Sequence, residues 1–279
     1  MRKITNELIS SFKNNLIEEE KSKNTIDKYI RDIVAFMVWG CNRELCKATV
    51  LEYKAEIAES YAPASVNSML SSINSFFDYN DWHDLKVKTL KIQRQIFLSK
   101  DKELSKAEYE RLLTAAKQKK NQRLYYLMQT ICSTGIRVSE LKYIDINAVK
   151  MGQAVINCKG KMRMVILPKE LCKMLKGYIK ENDIKDGSVF VSRNDKPLDR
   201  SHIWKMLKAL CETAGVSKDK VYPHSFRHLF ARTYYSLQKD IVRLADILGH
   251  SSINTTRIYT IETGDTHRRQ IQRLGLLRL

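Results

Sequence analysis

No stretch of this 279-residue sequence approaches the ~18 consecutive apolar residues that a membrane-spanning helix requires. The six cysteines (41, 46, 132, 158, 172 and 211) include no CxxC pair, which argues against a zinc ribbon or a disulfide framework and fits reduced thiols in a cytosol. The amino-terminal stretch MRKITNELISSF sets Glu7 where a signal peptide would need an unbroken apolar block, so export is not expected. There is no internal repeat, low-complexity tract, phosphate-cradling P-loop or acidic cluster of the kind that holds catalytic magnesium. The expectation is a cytoplasmic chain that needs neither metal nor any other cofactor.

Charge is plentiful and one-sided. Lys and Arg number 49 against 31 Asp and Glu, a formal charge of +18, and the excess is not shared evenly. Residues 1–98 carry 14 basic and 13 acidic side chains, whereas residues 99–279 carry 35 and 18. A field of that sign steers polyanions toward the carboxy-terminal part, which makes nucleic acid the leading partner and a membrane surface the weaker rival.

The hydrophobic period divides the chain. Leu8, Phe12 and Leu16, then Ile26, Ile30, Ile33, Val34 and Met37, recur at helical spacing. Further helices are expected from Ala48 to Ser60 and from Pro63 to Tyr79, which makes a small helical bundle over residues 1–85. Residues 86–102 lose the period and read as a basic linker. A second domain, 103–279, opens on a capping box, Ser105 with Glu108. QAVINC and MRMVILP are short β-branched runs around Lys159-Gly160-Lys161, a hairpin, and SVFV at 188–191 is a third candidate strand. The fold class is therefore mainly α with one small antiparallel β-sheet.

Four separated segments carry the chemistry: STGIRVSEL (133–141), CKGKMR (158–163), HSFRHLFA (224–231) and LGHSSINTTRIYT (248–260). Read alone, the last is a helix end at Gly249 and a new start at Ser251 or Ser252. Together and in this order the four resemble the catalytic signature of the tyrosine recombinases, the phage integrase and Xer-like family, and the resemblance runs over nearly the whole chain. It implies an amino-terminal core-binding domain, a catalytic domain, and a reaction in which duplex DNA is cleaved and rejoined at a specific site through a tyrosine ester.

Residue by residue, the resemblance implies Arg137 as the first arginine with Glu140 as its structural support. It implies Lys159 as the hairpin lysine, His224 and Arg227 as the HxxR pair, His250 as the second histidine and Tyr259 as the nucleophile. Cys158 departs from the glycine common before the lysine, and the hairpin is one residue short before Arg163, so Lys161 is an alternative general acid. His228 and Phe226 read as packing residues. His224 and His228 also have zincin spacing, but Ser225 replaces the required Glu and no third ligand is evident, so no metal is expected.

The chemistry asks for these residue types. Two guanidiniums, always charged and able to donate in forks, suit a phosphodiester gaining negative charge. A phenol with a pKa of ~10 needs its proton drawn off, for which His224 is the candidate, while His250 suits a phosphate hydrogen bond. The resemblance further implies a homo-oligomer, a tetramer on paired DNA sites, associated with the nucleoid. A carboxy-terminal apolar face at Ile271, Leu274, Leu276 and Leu277 packs either on a neighbour or on its own domain. The expected role is that of a mobile-element recombinase or integrase, with an Xer-like dimer resolvase as the alternative; a type IB-like topoisomerase and a non-catalytic DNA-binding protein are the remaining alternatives.

Overall fold

The computed structural model describes residues 2–92, 103–158, 161–192, 196–259 and 272–273, without the side chains of Cys158 and Lys161. The chain divides into two compact units, residues 1–94 and 95–279, each with its own core.

The first unit is built from α1 (Asn6–Glu18), α2 (Lys23–Trp39), α3 (Lys47–Ser60) and α4 (Pro63–Tyr79). Thr5 and Ser22 cap the first two helices with their hydroxyls, and Pro63 occupies the first turn of α4, where its missing N–H costs nothing. Phe12, Phe36, Phe76 and Phe77 meet in the core in edge-on and tilted contacts. A polar network is buried beside it: the Asp32 carboxylate on α2 accepts from Lys28 Nζ at 2.6 Å and from the buried Ser72 hydroxyl of α4 at 2.8 Å. The start of the expected linker is bound to this unit. Asn67 on α4 exchanges two hydrogen bonds with the backbone of Leu90, and Asn74, seven residues along, does the same with Val87. Residues 93–102, the rest of that linker, lie outside the described residues.

The second unit contains α5 (Lys106–Gln118), α6 (Gln122–Thr134), α7 (Ile146–Met151), β1 (Gln153–Cys158), β2 (Lys161–Ile166), α8 (Lys169–Glu181), α9 (Arg200–Ala214), α10 (Pro223–Gln238), α11 (Ile241–Leu248) and α12 (Ile253–Thr256). The expected Ser105–Glu108 capping box opens α5. β1 and β2 form an antiparallel hairpin in which Ile156 faces Arg163 and Cys158 faces Lys161. Ala154, Ile156 and Val165 point into the core, while Val155, Met162, Met164 and Ile166 face outward.

The segment SVFV does not become a strand. Among the described residues it makes only isolated bridges, Asp145 with Ser188 and Val191 with Pro197. Val189 and Phe190 are apolar because they are buried, not because they pair along a ladder, and a short apolar run does not distinguish the two.

Removing one partner of the buried Asp32 group strands the others without their acceptor. Asp32→Ala should cost about 2 kcal/mol of stability, less than a fully buried pair because Lys28 keeps partial access to water. Urea unfolding followed by the fluorescence of Trp39 and Trp82, which pack on Phe36 and Phe77 of the same core, measures this; an unchanged midpoint would mean the network contributes nothing.

Candidate active site

Three of the four motif segments are brought together by the way helices end. α6 stops at Gly135, in the left-handed conformation (φ 66°), where an added Cβ would collide with Phe230. The chain leaves that turn through buried Ile136 and presents Arg137 at the start of a 3-10 turn, Val138–Tyr143. Glu140, 2% exposed, folds back to accept from the Arg137 backbone N–H at 2.7 Å and from Arg137 Nη1 at 2.9 Å. Its second oxygen also takes Arg163 Nη2 at 2.6 Å. Burial alone would push the Glu140 carboxyl up, but the Arg137 backbone N–H and the Arg163 and Arg137 guanidiniums outweigh it and hold it below the usual range.

α10 begins at Pro223, and the HxxR spacing places His224 and Arg227 one turn apart on the same face. Arg227 is 2% exposed. Nη1 donates to the Gly135 carbonyl at 2.6 Å, and Nη2 donates to the Leu248 carbonyl at 2.7 Å and to His250 Nε2 at 2.9 Å. Burial pulls its pKa down to about 10, which leaves it charged at neutral pH. Because Arg227 can only donate, His250 Nε2 accepts, and the ring proton sits on Nδ1, which donates to Thr256 Oγ1 at 2.8 Å.

The last segment is a helix end and a helix start, as its residues suggest. Gly249 is the left-handed cap of α11 (φ 63°) and the Ser252 hydroxyl caps α12. That turn also sets His250 against Arg227 and feeds the chain through α12 into a 3-10 turn ending at Tyr259. The Tyr259 ring, 7% exposed, stacks on His250 with centroids 6.1 Å apart and meets the edge of His228 at 5.1 Å. Ala231, Leu244 and Leu248 form the apolar floor beneath it.

All three histidines titrate low. Burial and then the neighbouring arginines pull His250 down to about 4; burial, His224 and Arg227 do the same to His228. His224 is lowered by burial, then by Arg200, Arg227 and Arg137. Burial and the surrounding guanidiniums thus favour the neutral form of all three imidazoles.

Arg137, Glu140, His224, Arg227, His250 and Tyr259 are thus assembled within one unit of one chain. Lys159 lies outside the described residues, as does the side chain of Lys161, so the choice between them stays open. So does the arrangement of Ile271, Leu274, Leu276 and Leu277. His228 packs, as expected, and the ring it packs on is that of Tyr259. Arg163, read only as the basic end of the hairpin, is tied to Glu140; nothing local in sequence announces a contact 23 residues away. Arg200, at the start of α9, adds a cation beside His224, and Trp204, Lys205 and Lys208 extend that helix's outer face, with Lys208 over the Trp204 ring at 5.2 Å.

Guanidiniums held ready for an anion, with a phenol ring beside them, class the chain among the tyrosine recombinases. It belongs to the phage integrase family, whose model matches residues 102–264. Tyrosine recombinase XerA of Pyrococcus furiosus is 30% identical over 285 aligned residues, 98% of this chain and 96% of that protein. The structure is similar to XerH site-specific recombinase bound to difH substrate in a pre-cleavage complex, with a TM-score of 0.70 at 22% identity over 90% of this chain and 79% of that one. It is also similar to a lambda integrase tetramer bound to a Holliday junction, with a TM-score of 0.71 at 17% identity over 91% of this chain and 76% of that one. At those identities the two structures share its fold.

The suppressed histidines make stability depend on pH with a definite sign. Their folded pKa values lie below the ordinary 6.5, so the unfolded chain binds protons more readily, and stability present above about pH 6.5 is lost as pH falls toward about 4. Thermal unfolding across that window should show His228→Phe, which keeps the ring and removes the titration, losing less stability than wild type. Parallel curves would mean that His228 takes up a proton in the folded state without penalty.

Proposed function

We propose that this chain is a site-specific DNA recombinase whose Tyr259 attacks a phosphodiester of duplex DNA. The observation that carries the reading is the lodging of Tyr259 between His228 and His250, with His250 hydrogen-bonded to the same Arg227 that a phosphate would need. The phenol oxygen forms a bond to phosphorus, the bond from phosphorus to the 5′ oxygen breaks, and the 3′ phosphate stays on the tyrosine. A 5′ hydroxyl from a partner strand later reverses the step. The phosphotyrosyl ester retains the bond energy, so rejoining consumes no nucleotide.

Arg137 and Arg227 neutralise the charge gathering on the non-bridging oxygens. Arg137, 34% exposed, reaches outward from Glu140, while the buried Arg227 is the rigid member. His224, held neutral by its surroundings, is the acceptor for the phenolic proton, and the hairpin lysine, Lys159 or Lys161, protonates the leaving 5′ oxygen. His250 accepts from Arg227 in the free protein; an arriving phosphate favours its protonated form, and Nε2 then donates to the anion.

The first unit serves as the core-binding half on the same duplex. Phosphate contacts from the strongly basic second unit dominate affinity and make it salt-sensitive. The lambda integrase tetramer on a junction supports assembly of this chain as a homotetramer on paired sites. The end-to-end match with XerA favours the Xer-like role, resolution of DNA dimers, over mobile-element integration. Among the described residues no helix is long and apolar enough to cross a membrane, which fits work at the nucleoid in the cytoplasm.

A nicked suicide duplex carrying the recombination site should trap a covalent adduct with wild type and none with Tyr259→Phe; an adduct that persists in the variant removes Tyr259 from the role. Arg137→Ala should keep DNA binding and lose about 3 kcal/mol of transition-state stabilisation, read as the single-turnover cleavage rate. Cleavage at the wild-type rate would reduce Arg137 to a surface charge.

A further inference from the structure

Helix ends leave carbonyls without intrahelical partners. At the end of α11, the cap satisfies the Ala245 and Asp246 carbonyls through the N–H groups of Gly249 and His250. The next three carbonyls each take a different arginine. Ile247 accepts from Arg163 Nη1 at 2.5 Å, Leu248 from Arg227 Nη2 at 2.7 Å, and Gly249 from Arg137 Nη2 at 3.5 Å, the weakest of the three. This end also carries the negative pole of the helix, which suits it to hold cations that would otherwise repel one another.

Arg163 is the member of this group that no phosphate-binding role accounts for. It is 15% exposed, both its terminal nitrogens are engaged, by Glu140 and by Ile247, and its shaft crosses the Gly249 backbone. A Cβ at position 249 would collide with its Cδ and lie 2.6 Å from its Nε. Gly249 is therefore required twice, for its left-handed conformation and for the passage of this side chain.

We propose that Arg163 is a positioning residue of the phosphate clamp. It shares the Glu140 carboxylate with Arg137, so it sets the direction in which the Arg137 guanidinium points. It also ties β2 to the end of α11, so it fixes the carbonyl that holds Arg227 and the turn that carries His250. This rests on the reading that Arg137 and Arg227 hold the scissile phosphate. The residue acts through those two and touches no substrate atom.

The test is single-turnover adduct formation by the full chain on the suicide duplex, with an ordinary scissile phosphate or a methylphosphonate, which lacks the negative charge that the clamp neutralises. Arg163→Ala should bind the site as wild type does and cleave about 100-fold more slowly, the scale of a misplacement near 1 Å. On the methylphosphonate most of that gap should close, because misplaced guanidiniums matter less when there is less charge to meet. Arg163→Lys can reach Glu140 or the Ile247 carbonyl but not both, and should fall between wild type and Arg163→Ala. Gly249→Ala should reproduce the slow rate by displacing Arg163, and the double variant should be no slower than the slower single variant, since the two act through one contact.

Wild-type cleavage by Arg163→Ala, or an equal loss on both substrates, would overturn the inference. Should Arg163→Ala fail to fold, Arg163→Lys and Gly249→Ala decide the matter by the same comparison. If wild type itself forms no adduct, it is the proposed function that fails; if wild type does and the Arg163 variants match it, only the positioning role fails.

Discussion

Like charges have to be gathered in this site before any substrate is present, and the structure depends on how that is made tolerable. Arg137, Arg163 and Arg227 would repel one another in a partly buried space. One buried carboxylate and the carbonyl end of one short helix offset the repulsion: Glu140 takes two of the three, and α11 presents a separate oxygen to each. These acceptors are fixed in the backbone or locked by packing, so the three guanidiniums are held in place. Preorganisation of that kind lets a protein stabilise developing charge without reorganising at the moment of reaction.

The same cations determine the state of the histidines. An imidazole enclosed by guanidiniums and taken out of water stays neutral, and a neutral imidazole can accept from Arg227, as His250 does, or take a phenolic proton. Holding these imidazoles unprotonated costs acid stability. The tyrosine is treated differently. Its ring is secured by two imidazoles and by Ala231, Leu244 and Leu248, and the short α12 and the 3-10 turn after it hold it with few residues to spare.

The rest of each unit supplies rigidity. In the second unit the core formed by α5, α6, α9 and α10 supports sharp turns at the ends of α6 and α11, at Gly135 and Gly249. Both glycines are closely overlaid by side chains from other elements, Phe230 on one and Arg163 on the other, so the turns are defined by tertiary contact as well as by backbone preference. In the first unit Asn67 and Asn74 bind an extended segment to α4, which places the start of the apparent linker on the domain.

Much of this was legible in the residues. Helical periods, the Ser105 box, Pro63, and the glycine breaks located most elements, because those signals act within a few residues of chain. The proposed site was legible for another reason: phosphate chemistry restricts which side chains could serve, so Arg137, His224, Arg227, His250 and Tyr259 stand out by type and order. SVFV misled because burial and strand pairing favour the same residues. What the sequence by itself determined, then, was which groups are present and which local turns carry them. Only the tertiary structure decided that Glu140 joins Arg137 to Arg163, that the end of α11 receives three arginines, and that His228 meets Tyr259. Arg163 lies 23 positions from Glu140 and 84 from Ile247, and His228 lies 31 from Tyr259, so no short-range preference encodes these contacts; they exist because the packing of the second unit brings those groups together.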